Sequence, residues 1–142
     1  MRLANRFEFF DHTADIGVRV RGATLEELFR HAAAALYEVM GEWKKSAPTK
    51  QKSVVLEAGS VEDLLHDWLA ELLFEFSARG VVYDELEISE LSPCCLKATL
   101  RGGPVDWEKS EPRAEVKAVT YHQLGVEQRS DGSWEATVIF DV

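Results

Sequence analysis

Cysteine is nearly absent from this 142-residue chain, which has two, and proline is sparse at four. The cysteines, Cys94 and Cys95, are neighbours. A disulfide between adjacent residues is strained, and one pair supplies neither a secreted framework nor a zinc-ligating double C-x-x-C. In a strand, neighbouring side chains point to opposite faces, so at most one of the two would be buried. Reduced structural thiols are expected, and with them a cytoplasmic compartment. No run approaches the roughly 18 apolar residues of a membrane-spanning helix. The stretch from Met1 to Arg6 lacks the apolar core of a secretory signal. Also missing are a G-x-S-x-G elbow, a Gly-rich phosphate loop and an H-E-x-x-H helix, which lowers the expectation of catalysis.

Positive charge is scarce as well. Sixteen Lys and Arg stand against 25 Asp and Glu, a net charge of −9. Such a surface repels phosphate backbones, which argues against direct nucleic-acid binding and suits a cation or a basic protein partner better. The plainer reading is that acidity keeps a small protein soluble. What is present in quantity is core-forming material: 46% of residues are hydrophobic. That content predicts one globular domain over residues 1–142, with a core that needs no metal or disulfide staple.

Periodicity sketches the elements. Phe7 to Phe10 reads as a short aromatic strand, and Ile16, Val18 and Val20 alternate as a half-buried one. Thr24 and Glu27 form a capping box, followed by apolar residues at helical spacing from Leu25 to Met40, with Gly41 as C-cap. Glu42 to Lys52 reads as a polar surface loop, and Val54 to Leu56 as a strand. Ser60 caps a second helix with a wide apolar stripe from Leu64 to Phe76, ended by Gly80. Strands are expected around 81–83, 86–91, 95–101, 115–119, 124–128 and 134–140. Gly102-Gly103-Pro104 reads as a turn, and Asp131-Gly132 as a hairpin. The sum is an α+β domain: a mainly antiparallel or mixed sheet with two amphipathic helices packed on it.

Three polar clusters carry the candidate chemistry. In Asp11-His12-Thr13-Ala14-Asp15, two carboxylates and an imidazole converge if the segment folds back, whereas Asp11, Thr13 and Asp15 share a face if it is extended. Oxygen donors of this kind suit Ca²⁺ or Mg²⁺. A turn closed by Asp11 and Thr13 is the simpler alternative. In Lys117 to His122, period two sets Lys117, Val119 and Tyr121 on one face and Ala118, Thr120 and His122 on the other. A Thr–His pair there could meet a carboxylate, or merely hydrogen-bond across strands. At the third, Phe140-Asp141-Val142, the strand is too apolar to fray freely, so Asp141 should be a fixed carboxylate beside the chain's own.

The strings Asp11-His12-Thr13-Ala14-Asp15-Ile16-Gly17, Ala118-Val119-Thr120-Tyr121-His122 and Phe140-Asp141-Val142, with the Leu-rich helix around 65–73, resemble the signature of the archease family. The resemblance spans the chain in order. It implies a non-enzymatic accessory of the RtcB-type RNA ligase in tRNA splicing and RNA repair, promoting guanylylation of the ligase and multiple turnover. It also implies an acidic metal site, with Ca²⁺ the first expectation and Mg²⁺ or Mn²⁺ as alternatives. Asp15 and Asp141 match its carboxylates, and Val142, where the family more usually ends in Ile, matches the residue giving a main-chain oxygen. His12, Lys117 and His122 match motif positions of less definite role. On this reading tRNA is reached only through the ligase, and no membrane is involved. A small metal-dependent hydrolase using Asp15, Asp141 and His12 or His122, and a generic chaperone or adaptor with a structural metal, are the competing classes.

Overall fold

The fold begins with a hairpin, in which the strands expected at 7–10 and from Ile16 each extend into the polar segment between them. In the computed structural model, which describes residues 6–12 and 15–142 except the side chain of His12, β1 (Phe7–His12) pairs antiparallel with β2 (Asp15–Gly22). Asp11 and His12 therefore belong to the strand. Val18 and Val20 point inward and are buried, while Arg19 between them is exposed.

Thr24 then caps α1 (Leu25–Met40): its hydroxyl accepts from Glu27 N–H at 3.1 Å, and Glu27 reaches back to Ala23 N–H at 2.9 Å. Gly41 ends it, as expected, with φ at 152°, a value that glycine alone adopts cheaply. β3 (Gly41–Glu42) follows, and β4 (Lys50–Glu57) begins inside the stretch read as loop. Ser60 caps α2 (Val61–Arg79), whose hydroxyl–Asp63 N–H bond measures 3.1 Å, and left-handed Gly80 closes it.

The remainder is strand, as its composition suggests: β5 (Val81–Ser92), β6 (Cys95–Pro104), β7 (Glu111–Pro112), β8 (Ala118–Val119), β9 (Gly125–Gln128) and β10 (Trp134–Asp141). Every pairing is antiparallel. One sheet runs β1-β2-β10-β8, with β9 also on β10; another runs β4-β6-β5; β3 and β7 make a short third. The helices lie on the sheets, and the buried Trp68 indole joins them by donating to Phe29 O at 3.0 Å.

Three further expectations need correction. The strands read at 81–83 and 86–91 are one, β5, with register shifts between Tyr83 and Glu85 and between Ile88 and Glu90. Bulges of this kind hide a strand behind broken alternation. Gly102-Gly103-Pro104 is no turn but the end of β6, where a Cβ on Gly102 would lie 1.9 Å from Val82 O. The strand expected at 115–119 shrinks to Ala118–Val119. Asp131-Gly132 does form the β9–β10 hairpin, Arg129 N–H donating to Ser133 O at 2.7 Å. Both cysteines are free, Cys94 exposed and Cys95 half-buried. Among the described residues no helix is long and apolar enough to cross a membrane.

Candidate functional site

The last residues of β10 meet the first of β2 at one end of the larger sheet, and here the three sequence clusters come together. Asp141 is the direct cross-strand partner of Asp15. Asp15 is in turn the partner of His12 on β1, and Asp141 of Ala118 on β8. Register alone thus sets positions 12, 15, 141 and 118 in one row across four strands. Residues directly opposite in an antiparallel pair share a face, so the two Asp side chains stand side by side. Both are half-buried.

The next row inward on the same face is apolar: Phe10, Gly17 and Ile139. Gly17 is there because Phe10 needs its space; a Cβ on Gly17 would lie 2.3 Å from the Phe10 ring. Arg19 lies over that ring, its guanidinium carbon 4.8 Å from the centroid. Ile139 is fully buried although it lies on the face away from the helices. The carboxylates therefore sit against a dry floor, which strengthens electrostatic interactions at their edge. Farther along the face, Glu8 pairs with Arg19 and Arg21, and Glu135 with Arg21 and Arg129.

The segment of the second cluster frames the acidic row. Lys117 N–H donates to Asp141 O at 2.7 Å, which fixes the backbone of that residue. Thr120 N–H and its hydroxyl both donate to Ile139 O, at 3.1 and 2.9 Å. The Thr120 hydroxyl thus makes the cross-strand bond anticipated for it. His122 N–H donates back to Thr120 Oγ1 at 3.2 Å, so His122 belongs to an exposed local turn and not to the strand. The side chain of Lys117 is exposed and that of Val142 packs partly against the core. The side chain of His12, and Thr13 and Ala14, lie outside the described residues. Asp11 is excluded from the row, because it pairs with Ile16 and faces the opposite side, toward Glu38 and Arg113.

One further group was not anticipated. His66, on α2, places Nε2 2.9 Å from Val119 O and Nδ1 3.1 Å from Asp67 Oδ1. Its ring stacks on Tyr121 with centroids 4.0 Å apart and planes 14° from parallel. Burial against this surface, and then the charges of Asp67 and Asp63, push the Tyr121 hydroxyl up. The only sequence signal was a lone His inside a Leu-rich helix.

Chemically, Asp15 and Asp141 offer hard oxygen donors, which suit Ca²⁺, Mg²⁺ or Mn²⁺ and not zinc. Among the described residues no three His, Cys, Asp or Glu side chains converge as a cage. A cation here would draw its remaining oxygens from main chain and water. The pair fits such an ion as an open site.

The model of the archease protein family matches residues 7–142. A protein archease from Thermococcus gammatolerans is 39% identical over 140 residues, covering 96% of this chain and 99% of its own. One from Methanopyrus kandleri is 35% identical over 139 residues, with the same coverage. The solution structure of Methanobacterium thermoautotrophicum protein 1598 superposes with a TM-score of 0.73 at 35% identity, covering 97% of this chain and 99% of that one. The crystal structure of a Thermotoga maritima archease, described as a possible chaperone, does so at 0.66 and 26% identity, with 94% of each chain covered. The chain belongs to the archease protein family.

Proposed function

We propose that this protein is a non-enzymatic activator of an RtcB-type RNA ligase in tRNA splicing and RNA repair, and that it promotes ligase guanylylation and repeated turnover through its acidic row. The observation that carries this reading is the register of β2 against β10, which makes partners of Asp15 and Asp141. Two residues 126 positions apart are thereby set opposite each other as carboxylates, which places two hard oxygen donors side by side at one end of the sheet. The pair makes sense as a ligand.

Asp15 and Asp141 would hold the divalent ion, Ca²⁺ by first expectation, with the main-chain oxygen of Val142 beside them. When bound, the cation supplies a positive centre for phosphate oxygens. The chain's own contribution is placement. Lys117 N–H holds the Asp141 backbone, and the Phe10–Gly17–Ile139 floor keeps water from beneath the pair. Lys117 exposes its side chain beside the row, toward nucleotide phosphate or the ligase, and His122 lies on the exposed turn that follows Thr120. His12 is the backbone partner of Asp15. With a net charge of −9, contact with tRNA runs through the ligase.

The test is to mix the protein with an RtcB-type ligase, GTP, Mn²⁺ and an RNA bearing 2′,3′-cyclic phosphate and 5′-hydroxyl ends, and to follow guanylylation of the ligase under multiple-turnover conditions. Stimulation is expected. A chaperone role, the description attached to the Thermotoga maritima relative, predicts protection of ligase from aggregation with no rise in guanylylation of native enzyme.

A further inference from the structure

Resting on the activator reading, we infer that His66 is a positioning residue for the acidic row: it ties the edge strand β8 to α2 and so fixes the segment 117–120 against Asp141. The row is only as well placed as β8, and β8 is very short. It meets β10 at two residue pairs, Phe140 with Val119 and Asp141 with Ala118. A two-residue edge strand has little of its own to hold it. The structure adds a clamp from the opposite side. A carbonyl only accepts, so the hydrogen between His66 and Val119 O is on Nε2.

The clamp has a second jaw. Tyr121 lies flat on the imidazole at 4.0 Å, while more than half of its surface, 58%, stays exposed. A tyrosine that stacks on a helix histidine two residues beyond the bonded carbonyl leaves the intervening segment little freedom. Thr120, between the two contacts, is the residue whose N–H and hydroxyl both reach Ile139 O. The carbonyl side of Val119 is held by α2 and the amide side of Lys117 and Thr120 by β10, so the segment is gripped from both edges. His66 touches none of the proposed ion ligands. It acts through the backbone of Val119.

Substitutions separate the two contacts. His66→Phe keeps a stacking ring and removes the donor; His66→Gln removes the ring and can present an amide donor to the same carbonyl. Two readouts are taken on each: hydrogen exchange of the Lys117 and Thr120 amides in the protein alone, and stimulation of ligase guanylylation. In His66→Phe both amides should exchange at least about tenfold faster, with bulk exchange in α1 unchanged, because a local opening is made easier and not the global one. Stimulation should fall with them, and His66→Gln should recover both. Should His66→Phe fail to fold, His66→Asn, too short to reach Val119 O, replaces it with the same expectation. Unchanged protection of Lys117 and Thr120 in the donor-less variants overturns the inference, as does stimulation that stays intact once protection is lost. If wild-type protein never stimulates the ligase, the activator reading fails while the exchange arm still decides whether His66 holds the segment.

Discussion

Asp15 and Asp141 are cross-strand partners on one face of the larger sheet, half-buried and backed by the buried Ile139 in the neighbouring row. Like charges set directly opposite each other repel. Directly opposed carboxylates cost about 0.2–1 kcal/mol where water reaches them and more where it does not. Asp141→Asn should therefore stabilise the metal-free protein by about 0.5 kcal/mol in urea titration. Ca²⁺ at a hundred times its dissociation constant should stabilise wild type by about 2.7 kcal/mol, and the variant by far less. A chelator should erase the difference that the ion makes.

The Phe10–Gly17 contact supplies a second prediction. A methyl at Gly17 would sit 2.3 Å from the ring, and Arg19 lies over the same ring at 4.8 Å. Gly17→Ala should cost about 1–3 kcal/mol as overpacking. In Phe10→Ala the same methyl enters vacated space. The double variant should then be more stable than the sum of the single losses, and a thermodynamic cycle reads the coupling directly.

Glu75 is the buried charge of the molecule's other half, 3% exposed on the inner side of α2. Tyr83 O–H donates to its Oε1 at 3.0 Å, while Lys52 Nζ and Arg79 Nε face Oε2 at 3.4 and 3.2 Å as charges without aligned hydrogen bonds. Removing the carboxylate leaves Tyr83 O–H without its acceptor and takes the counter-charge from Arg79, while Lys52 keeps Glu71. Glu75→Ala should cost about 1–3 kcal/mol by thermal or urea unfolding, chiefly for the buried Tyr83 hydroxyl left unsatisfied. Glu71, which also pairs with Lys52 but is more exposed, should cost under about 1 kcal/mol on the same change.

Alkaline pH tests the same network. Burial, then the hydrogen bond to Glu75 and its charge, push the Tyr83 hydroxyl up to about 12. Burial also raises Tyr37. The unfolded chain loses these protons near pH 10, so between there and about 12 the folded state binds more protons and stability falls as pH rises. Stability from this source is fully present below about pH 10. The decline should be about 1.4 kcal/mol per pH unit for each such tyrosine, and Tyr83→Phe should remove one tyrosine's share. An unchanged alkaline slope in that variant would contradict the assignment to Tyr83.

Local signals were readable where they were self-contained. The capping box at Thr24 and Glu27, the glycine stops at Gly41 and Gly80, and the Asp131-Gly132 hairpin each depend on a few neighbouring residues, and each stands as expected. What failed depended on distant chain. Gly102 and Gly103 looked like turn residues because nothing local reports that Val82 O and Ala47 O approach them too closely for a Cβ. β5 looked like two strands because its bulges break the alternation. At the site, the residues were named from motifs, but their row was not. Asp11 and Asp15 looked equivalent until pairing turned Asp11 to the other face. His66 was hidden because its partners, Val119 and Tyr121, lie more than fifty residues on.

The central claim is that the Asp15–Asp141 pair acts on the ligase, and the most direct measurement is ligase guanylylation by GTP with wild-type protein, Asp15→Ala and Asp141→Ala compared at equal concentration. Each variant should keep its cooperative unfolding transition and lose stimulation, returning guanylylation to the rate of ligase alone. A folded Asp15→Ala or Asp141→Ala that stimulates as well as wild type would contradict the account.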